Sequence, residues 1–280
     1  MNAFISADME GITGIAPSED VVNGEPEYER GVDLLHGDVN AAVEGAFDGG
    51  ADEVLVNDSH STMRNLDRAR LDDRATLIRG NTKPRSMVQG LRSEHDVALF
   101  VGYHAKMGTP AAVLNHTVLG HELQSLHING EEVGEMGWNA RFAGALGVPV
   151  GLVTGDDATA EEATAEVPDA ERVIVKEAID RFSATCWPGS ETRPRLQEGA
   201  RRAVERAGDG TLGVTTASTP VTMTASWATT QEAEEASRLP GIERVDARQT
   251  AVADEEYITA FEATVAMLRA GGRAADQYYG

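Results

Sequence analysis

Apolar positions over roughly the first 180 residues fall into two kinds of run that alternate along the chain. Ala3–Ala7 is a compact apolar run, predicted as a strand, that ends in Asp8 and Glu10. From Tyr28 to Phe47 the residues Val32, Leu35, Val39, Ala42, Val43 and Ala46 recur at helical spacing, and the pattern stops at Gly49-Gly50. Glu53–Val56 is a second predicted strand, followed by Asn57-Asp58-Ser59-His60; a short strand at Thr76–Arg79 and a helix near Ser86–Arg92 come next. Asp96–Val101 has the continuous apolar character of a strand buried on both faces, and it ends at Gly102-Tyr103-His104. Val113–Leu119 and Leu126–Val133 read as further strands, the second turning at Asn129-Gly130. Glu135–Leu146 is a predicted helix, and Val148–Val153 and Arg172–Val175 are predicted strands.

Strand–helix alternation predicts an α/β fold, a mainly parallel sheet flanked by helices. After about Ser190 the pattern changes. Helical stretches at Glu191–Arg206, Thr230–Leu239 and Asp254–Ala270 flank strands at Thr219–Thr224 and Ile242–Ala247. The expectation is a metal-binding α/β catalytic domain over residues 1–188 and a smaller C-terminal α+β lobe over 189–280.

Charge narrows the partners. The 280 residues carry 46 acidic and 24 basic side chains, a formal charge of −22, and only three of the basic residues (Lys83, Lys106, Lys176) are lysine. Nucleic acid and anionic membrane surfaces need a basic face and are not expected as partners. An Asp/Glu-rich, Lys-poor surface fits high salt, where its charges are screened and hydrated: a halophilic character. The longest apolar stretch, about Ala145 to Val153, is broken by Gly and Pro and falls far short of the ~18 residues a spanning helix needs. No basic segment opens the chain, so no signal peptide and a cytoplasmic location are expected. The lone Cys186, beside Trp187, excludes an intrachain disulfide and reads as a small buried hydrophobe.

All seven histidines (His36, His60, His95, His104, His116, His121, His127) lie in the first half of the chain. Asp8 and Glu10 follow the first predicted strand, His60 the second and His104 a later one. Ligands gather at the carboxyl ends of strands in open α/β sheets. Asp-x-Glu spacing places two carboxylates on one side of an extended segment. Carboxylate and imidazole together suit a divalent ion, most often zinc, and more such groups than one catalytic zinc needs suggest two metals sharing a carboxylate. The other reading makes Asp8 and Glu10 turn and cap residues and the histidines surface residues. Competing motifs fail: His121-Glu122-Leu123-Gln124-Ser125 lacks the second histidine of a zincin helix, and Asp58-Ser59-His60 is too contiguous to form a nucleophile–base line.

Ser6-Ala7-Asp8-Met9-Glu10-Gly11 resembles the SxDxEG signature of peptidase family M55, the D-aminopeptidase family of zinc peptidases. Asn57-Asp58-Ser59-His60 is similar to its NDxH segment and Gly102-Tyr103-His104-Ala105 to its GYHA segment. Asn115-His116-Thr117 lies where the family carries an H-T pair. The stretch from Asn129-Gly130 to Gly134-Glu135 resembles its NGxxxGE, and Lys176-Glu177-Ala178 a further segment.

The resemblance implies two Zn²⁺ per chain. Asp8 would bridge them, Glu10 and His60 would complete one site, and His104 with Glu135 the other. Glu131 and Glu132 are nearby alternatives; Glu135 is preferred because it follows Gly134 and opens a helix. His116 would be catalytic rather than a ligand, and Asp58 could hold a substrate amine. The implied activity is removal of an N-terminal D-amino acid from short peptides or aminoacyl amides by a metal-activated water. The implied assembly is a homo-oligomer, a decameric ring with inward-facing sites. Another dinuclear hydrolase, an amidohydrolase or phosphoesterase, would use the same ligand types, and a non-catalytic metal scaffold would also fit them.

A charge of −22 repels itself in dilute buffer, so melting temperature or assembly is expected to rise from low to molar salt. Melting temperature and particle size unchanged across that range would overturn the salt-adaptation reading.

Overall fold

Strands buried on both faces need covering layers above and below, and the chain supplies both. The computed structural model describes residues 1–274. In chain order the elements are β1 (Asn2–Ala7), α1 (Tyr28–Asp48), β2 (Glu53–Asp58), β3 (Thr76–Ile78), β4 (Val97–Val101), β5 (Leu123–Ile128), β6 (Glu131–Val133), α2 (Glu135–Ala145) and β7 (Val150–Asp156). There follow α3 (Asp157–Glu166), β8 (Glu171–Asp180), β9 (Ser183–Cys186), α4 (Gly189–Gly208), β10 (Val221–Trp227), α5 (Thr230–Ser237), β11 (Glu243–Asp246), β12 (Gln249–Asp254) and α6 (Tyr257–Gly271).

Seven strands form one sheet in the order β3-β2-β1-β4-β7-β8-β9, parallel except for the terminal β8–β9 hairpin. Side chains alternate across it. Ala3, Ile5 and Ala7 face a core with Val39 and Val43 of α1 and Leu196 and Ala200 of α4. Phe4, Ala98 and Phe100 face the opposite core, with Trp138 of α2, Met223 of β10 and Phe261 of α6. From β1 the chain winds outward through β2 to β3; from β4 it winds the other way through β7 to β8. The β1/β4 boundary is therefore the topological switch point, where the crevice at the strand ends opens.

The fold class is as expected, but a division between residues 188 and 189 does not follow the sheets. Beyond that point α4 packs on α1 and on β7 and β8 of the parallel sheet. Before it, the β5–β6 hairpin belongs to the antiparallel sheet β11-β12-β10-β5-β6. β5 pairs with β10 from Met223↔Ile128 to Trp227↔Leu123. Trp138 stacks on Phe261 at 4.1 Å, and the Tyr257 hydroxyl donates to the Trp138 carbonyl at 2.8 Å. One apolar core thus crosses the expected boundary.

Three local expectations also change. Val113–Leu119 is a loop, not a strand. Asp156 accepts from the Val113 N–H, Asn115 donates to the Thr109 and Ala112 carbonyls, and Leu114 and Val118 have φ of 50° and 59°. Around Ser86 there is only a 3₁₀ turn, Ser86–Val88. Cys186 is exposed on β9 rather than buried.

Lys176, on β8, is fully buried, and its ammonium donates to the carbonyls of Glu10 (2.5 Å), Ile12 (3.1 Å) and Ile15 (2.7 Å). It staples the loop after β1 onto a strand two places away in the sheet from β4, against a burial cost that lowers its pKa to about 8. Lys176→Met keeps the side-chain volume and orphans three carbonyls, an expected loss on the order of 3 kcal/mol. A denaturation midpoint equal to wild type would show that the loop holds itself.

Candidate metal centre

The loop that leaves β1 stays in register with β4. Asp8 N–H donates to the Val101 carbonyl and Gly11 N–H to that of Gly102, both at 2.8 Å. This approach needs glycine on both sides. A Cβ on Gly11 would lie 1.9 Å from the Tyr103 carbonyl oxygen, and Gly102 has φ +73° with its missing Cβ 2.3 Å from the Asp8 carbonyl. Below the loop, Ser6 Oγ lies 2.9 Å from Ser59 Oγ and 2.8 Å from both the Met87 carbonyl and the Tyr103 hydroxyl. Asn139 of α2 donates to that hydroxyl at 3.0 Å. The network ties the ends of β1, β2 and β4 to α2.

Six side chains converge above it. His60 Nε2–H donates to the Val21 carbonyl at 2.9 Å, so Nδ1 faces Glu10 Oε2 at 3.0 Å and Asp8 Oδ1 at 3.4 Å. His104 Nδ1–H donates to the Ala105 carbonyl at 3.1 Å, so Nε2 faces Glu135 Oε1 at 3.4 Å and Asp8 Oδ2 at 3.5 Å. His116 Nδ1–H donates to the Leu114 carbonyl at 2.9 Å, and its Nε2 lies 3.7 Å from Glu135 Oε1. The His104 and His116 rings stack at 4.1 Å. Glu135 opens α2, where the helix N-terminus favours a carboxylate, and accepts from the Val118 N–H at 2.6 Å. Asp8, Glu10, His60, His104 and Glu135 are all buried; His116 is partly open, its side chain 18% exposed.

The charges in this cluster are badly matched. Burial, then the neighbouring Glu10 carboxylate, push Asp8 up to about 7. Burial also opposes charge on Glu10 and Glu135, but the adjacent histidines outweigh it and hold both below the usual carboxylate range. Burial works against the His60 and His104 imidazoliums and loses to the carboxylates, so both sit well above an ordinary histidine. For His116 burial wins, aided by His104, and its pKa is lowered. The fully buried His104 Nε2 has no hydrogen-bond partner. Ligand atoms of Asp8, Glu10 and His104, and again of His104, His116 and Glu135, lie within 4.8 Å of one another. An orphaned imidazole nitrogen among three carboxylates is a donor set that fits a divalent ion of the zinc type.

The structure thus brings together all six residues singled out from sequence. It excludes others. His36 is buried on α1, bonded to the Val32 carbonyl and accepting from the Asp67 N–H. His95 packs edge-on against Phe4 away from the cluster, and His127 lies on β5. Asp58 is a fully buried loop anchor, accepting from the Asn65 and Leu66 N–H groups and the Asn65 amide, and is not among the residues lining the cavity beside the cluster. Glu131 and Glu132 are exposed on β6, Glu131 pairing with Arg141. Sequence reasoning missed Ser6, Tyr103, Asn139 and Lys176 as supports; Lys176 stood in a recognised segment, but nothing local signalled its three carbonyl partners.

Five of the six, all but the buried His104, line a cavity of about 630 Å³ that also takes in Val21, Met63, Met87, Leu119, His121 and Arg269. A second cavity, of about 610 Å³, lies by Asn2, Arg74 and His95 and contains none of the six. Chemistry, not volume, distinguishes them.

Without a cation, Asp8 titrates near 7 in the folded chain against 3.8 ordinarily, so the folded chain holds more protons and stability falls as pH rises from about 4 to 7. His60 and His104 extend the fall above neutrality. His116 runs the other way just below 6.5, and Glu10 and Glu135 act only below 4.5. The melting temperature of chelated protein is expected to drop from about pH 5 to 8, and Asp8→Asn to flatten the drop. A divalent cation is expected to raise it most at the alkaline end. A flat profile for chelated wild type would contradict the charge crowding.

A profile of peptidase family M55, described as D-aminopeptidase, matches residues 1–266. A D-aminopeptidase of Bacillus subtilis (strain 168) is 38% identical over 243 residues, covering 87% of this chain and 87% of that one. A solved structure, the Zn-dependent D-aminopeptidase DppA from Bacillus subtilis, described as a self-compartmentalizing protease, matches with a TM-score of 0.91. It is 34% identical, with 99% of this chain and 100% of that one covered. By profile, sequence and fold together, the chain belongs to peptidase family M55, the D-aminopeptidases.

Proposed function

We propose that this protein is a zinc-dependent D-aminopeptidase that removes the N-terminal residue of short peptides. The observation that carries the ligand assignment is the posture of Asp8: Oδ1 faces His60 at 3.4 Å while Oδ2 faces His104 at 3.5 Å. One carboxylate presenting an oxygen to each of two histidines is placed to bridge two ions. Glu10 and His60 would complete one site, and His104 and Glu135 the other. The carbonyl partners at His60 Nε2 and His104 Nδ1 fix each ring with its other nitrogen toward the carboxylates.

Bound zinc supplies Lewis acidity to the scissile carbonyl and eases deprotonation of the attacking water. The chain supplies the proton path. His116 lines the cavity with its Nδ1–H committed to Leu114, a lowered pKa that keeps it neutral, and Nε2 3.7 Å from Glu135 Oε1. Nε2 takes a proton from the attacking water, and the hydroxyl oxygen adds to the carbonyl carbon. When the C–N bond breaks, Nε2 returns that proton to the leaving amine. His116 also lies close enough to His104 and Glu135 to be read as a ligand. Its greater exposure, and the five other residues that would hold two ions, favour catalysis, since a catalytic zinc keeps an open position.

The structural relative is self-compartmentalizing. A homo-oligomer, as a decameric ring with inward sites, is proposed here too, and it would admit only short peptides. Such sequestration suits a cytoplasmic peptidase, and the −22 charge supports a salt-rich setting. No helix among the described residues is long and apolar enough to cross a membrane.

The expected result for His116→Ala is full metal content with turnover down about 10²–10⁴-fold on D-aminoacyl peptides. Asp8→Ala is expected to lose most of both zinc equivalents by metal analysis. Loss of one equivalent in His116→Ala would make His116 a ligand; hydrolysis of phosphoesters but not peptides by wild type would replace the peptidase reading.

A further inference from the structure

Three carboxylates line the active cavity, and all three belong to the metal cluster: Asp8, Glu10 and Glu135. Histidines aside, the other charged side chain along it, among the described residues, is Arg269. It sits in the last turn of α6, in the half of the chain without histidines.

Arg269 is held in place without being used up. Its Nη2 donates to the Lys83 carbonyl at 2.7 Å and more weakly to Asn81 Oδ1 at 3.4 Å. Lys83 in turn is buried, and its ammonium donates to the Asp58 carbonyl (2.5 Å) and Asn57 Oδ1 (2.8 Å). Those residues end β2 and lead directly into His60. The guanidinium is thereby pinned to the same strand end as the metal cluster. Both recorded bonds use one nitrogen and go to neutral oxygens. Most arginines of this acidic chain pair with Asp or Glu, whereas no such pair is recorded for Arg269 among the described residues. Burial and the neighbouring Arg273 hold its pKa below the usual arginine value, a penalty an incoming anion would relieve.

We infer that Arg269 receives the free C-terminal carboxylate of a dipeptide whose scissile bond lies over the metal cluster. This rests on the aminopeptidase reading and specifies its substrate: a zwitterion, held by its carboxylate at the rim while the carbonyl next to its amine lies at the floor. In a dipeptide the carboxylate follows the scissile bond by one residue, roughly 3.5 Å of chain. A guanidinium fork matches a carboxylate with two parallel hydrogen bonds, which a C-terminal amide cannot accept.

The test compares D-alanylglycine with D-alanylglycinamide, which share the scissile bond and differ in the terminal charge. Wild type is expected to favour the acid in kcat/KM by about 10- to 100-fold. Arg269→Met is expected to abolish that preference by raising KM for the acid with kcat little changed, and to leave the amide alone. Arg269→Lys should recover part of the preference, and melting curves of both variants establish that they fold. Equal rates on acid and amide in wild type, or an equal loss on both in a folded Arg269→Met, would overturn the inference while leaving the aminopeptidase intact. Cleavage of neither substrate by zinc-loaded wild type would instead overturn the aminopeptidase reading and the inference with it.

Discussion

Packing Asp8, Glu10 and Glu135 side by side out of water is the constraint on which the rest of this structure depends. Desolvation and mutual repulsion drive Asp8 toward protonation, while the negative charge of the group overcomes burial and draws His60 and His104 toward the charged form. Such a cluster needs protons or a cation to compensate it and a stiff frame to prevent its members from swinging out to solvent. The frame is visible: β1 and β4 at the switch point, loops locked by the Gly11–Gly102 approach, and α2 entering with Glu135 at its first residue.

The supports are polar and distant in sequence. Lys176 reaches the Glu10, Ile12 and Ile15 carbonyls from across the sheet, and the Ser6–Tyr103–Asn139 network joins three strands' ends to a helix. Buried networks of this kind lose much when one member is missing, because the remaining groups have no water to turn to. They explain why the segment Ser6–Gly11 includes residues that are not part of the carboxylate–histidine cluster. Ser6 holds the strand ends together, and Gly11 makes room for the Tyr103 carbonyl.

Function also draws on the half of the chain that carries no histidine. α6 packs on α2 through Trp138 and Phe261 and carries Arg269 to the rim of the cavity. The shared apolar core makes this possible: a lobe on a flexible linker could not set a guanidinium against a metal cluster with useful accuracy.

Much of the site was legible in the sequence. Continuous apolar runs in β1 and β4 mark central parallel strands and so place Asp8, Glu10 and His104 at strand ends. Asn129-Gly130 fixed a hairpin, and Gly134-Glu135 a helix start, because turn and cap chemistry is local. Residues 113–119 were misread as a strand because their bonds run to Asp156, Glu135 and Arg181, which local apolarity does not encode. The pairing that crosses residues 188/189 was illegible for the same reason: β5 finds its partner in β10, about a hundred residues on, and strand pairing over that distance leaves no periodic trace. Periodicity and spacing determined the elements and the ligand types. Only tertiary structure decided which carbonyls Lys176 satisfies, which oxygen of Asp8 meets which histidine, and where Arg269 stands, since each depends on contacts between segments that sequence leaves far apart.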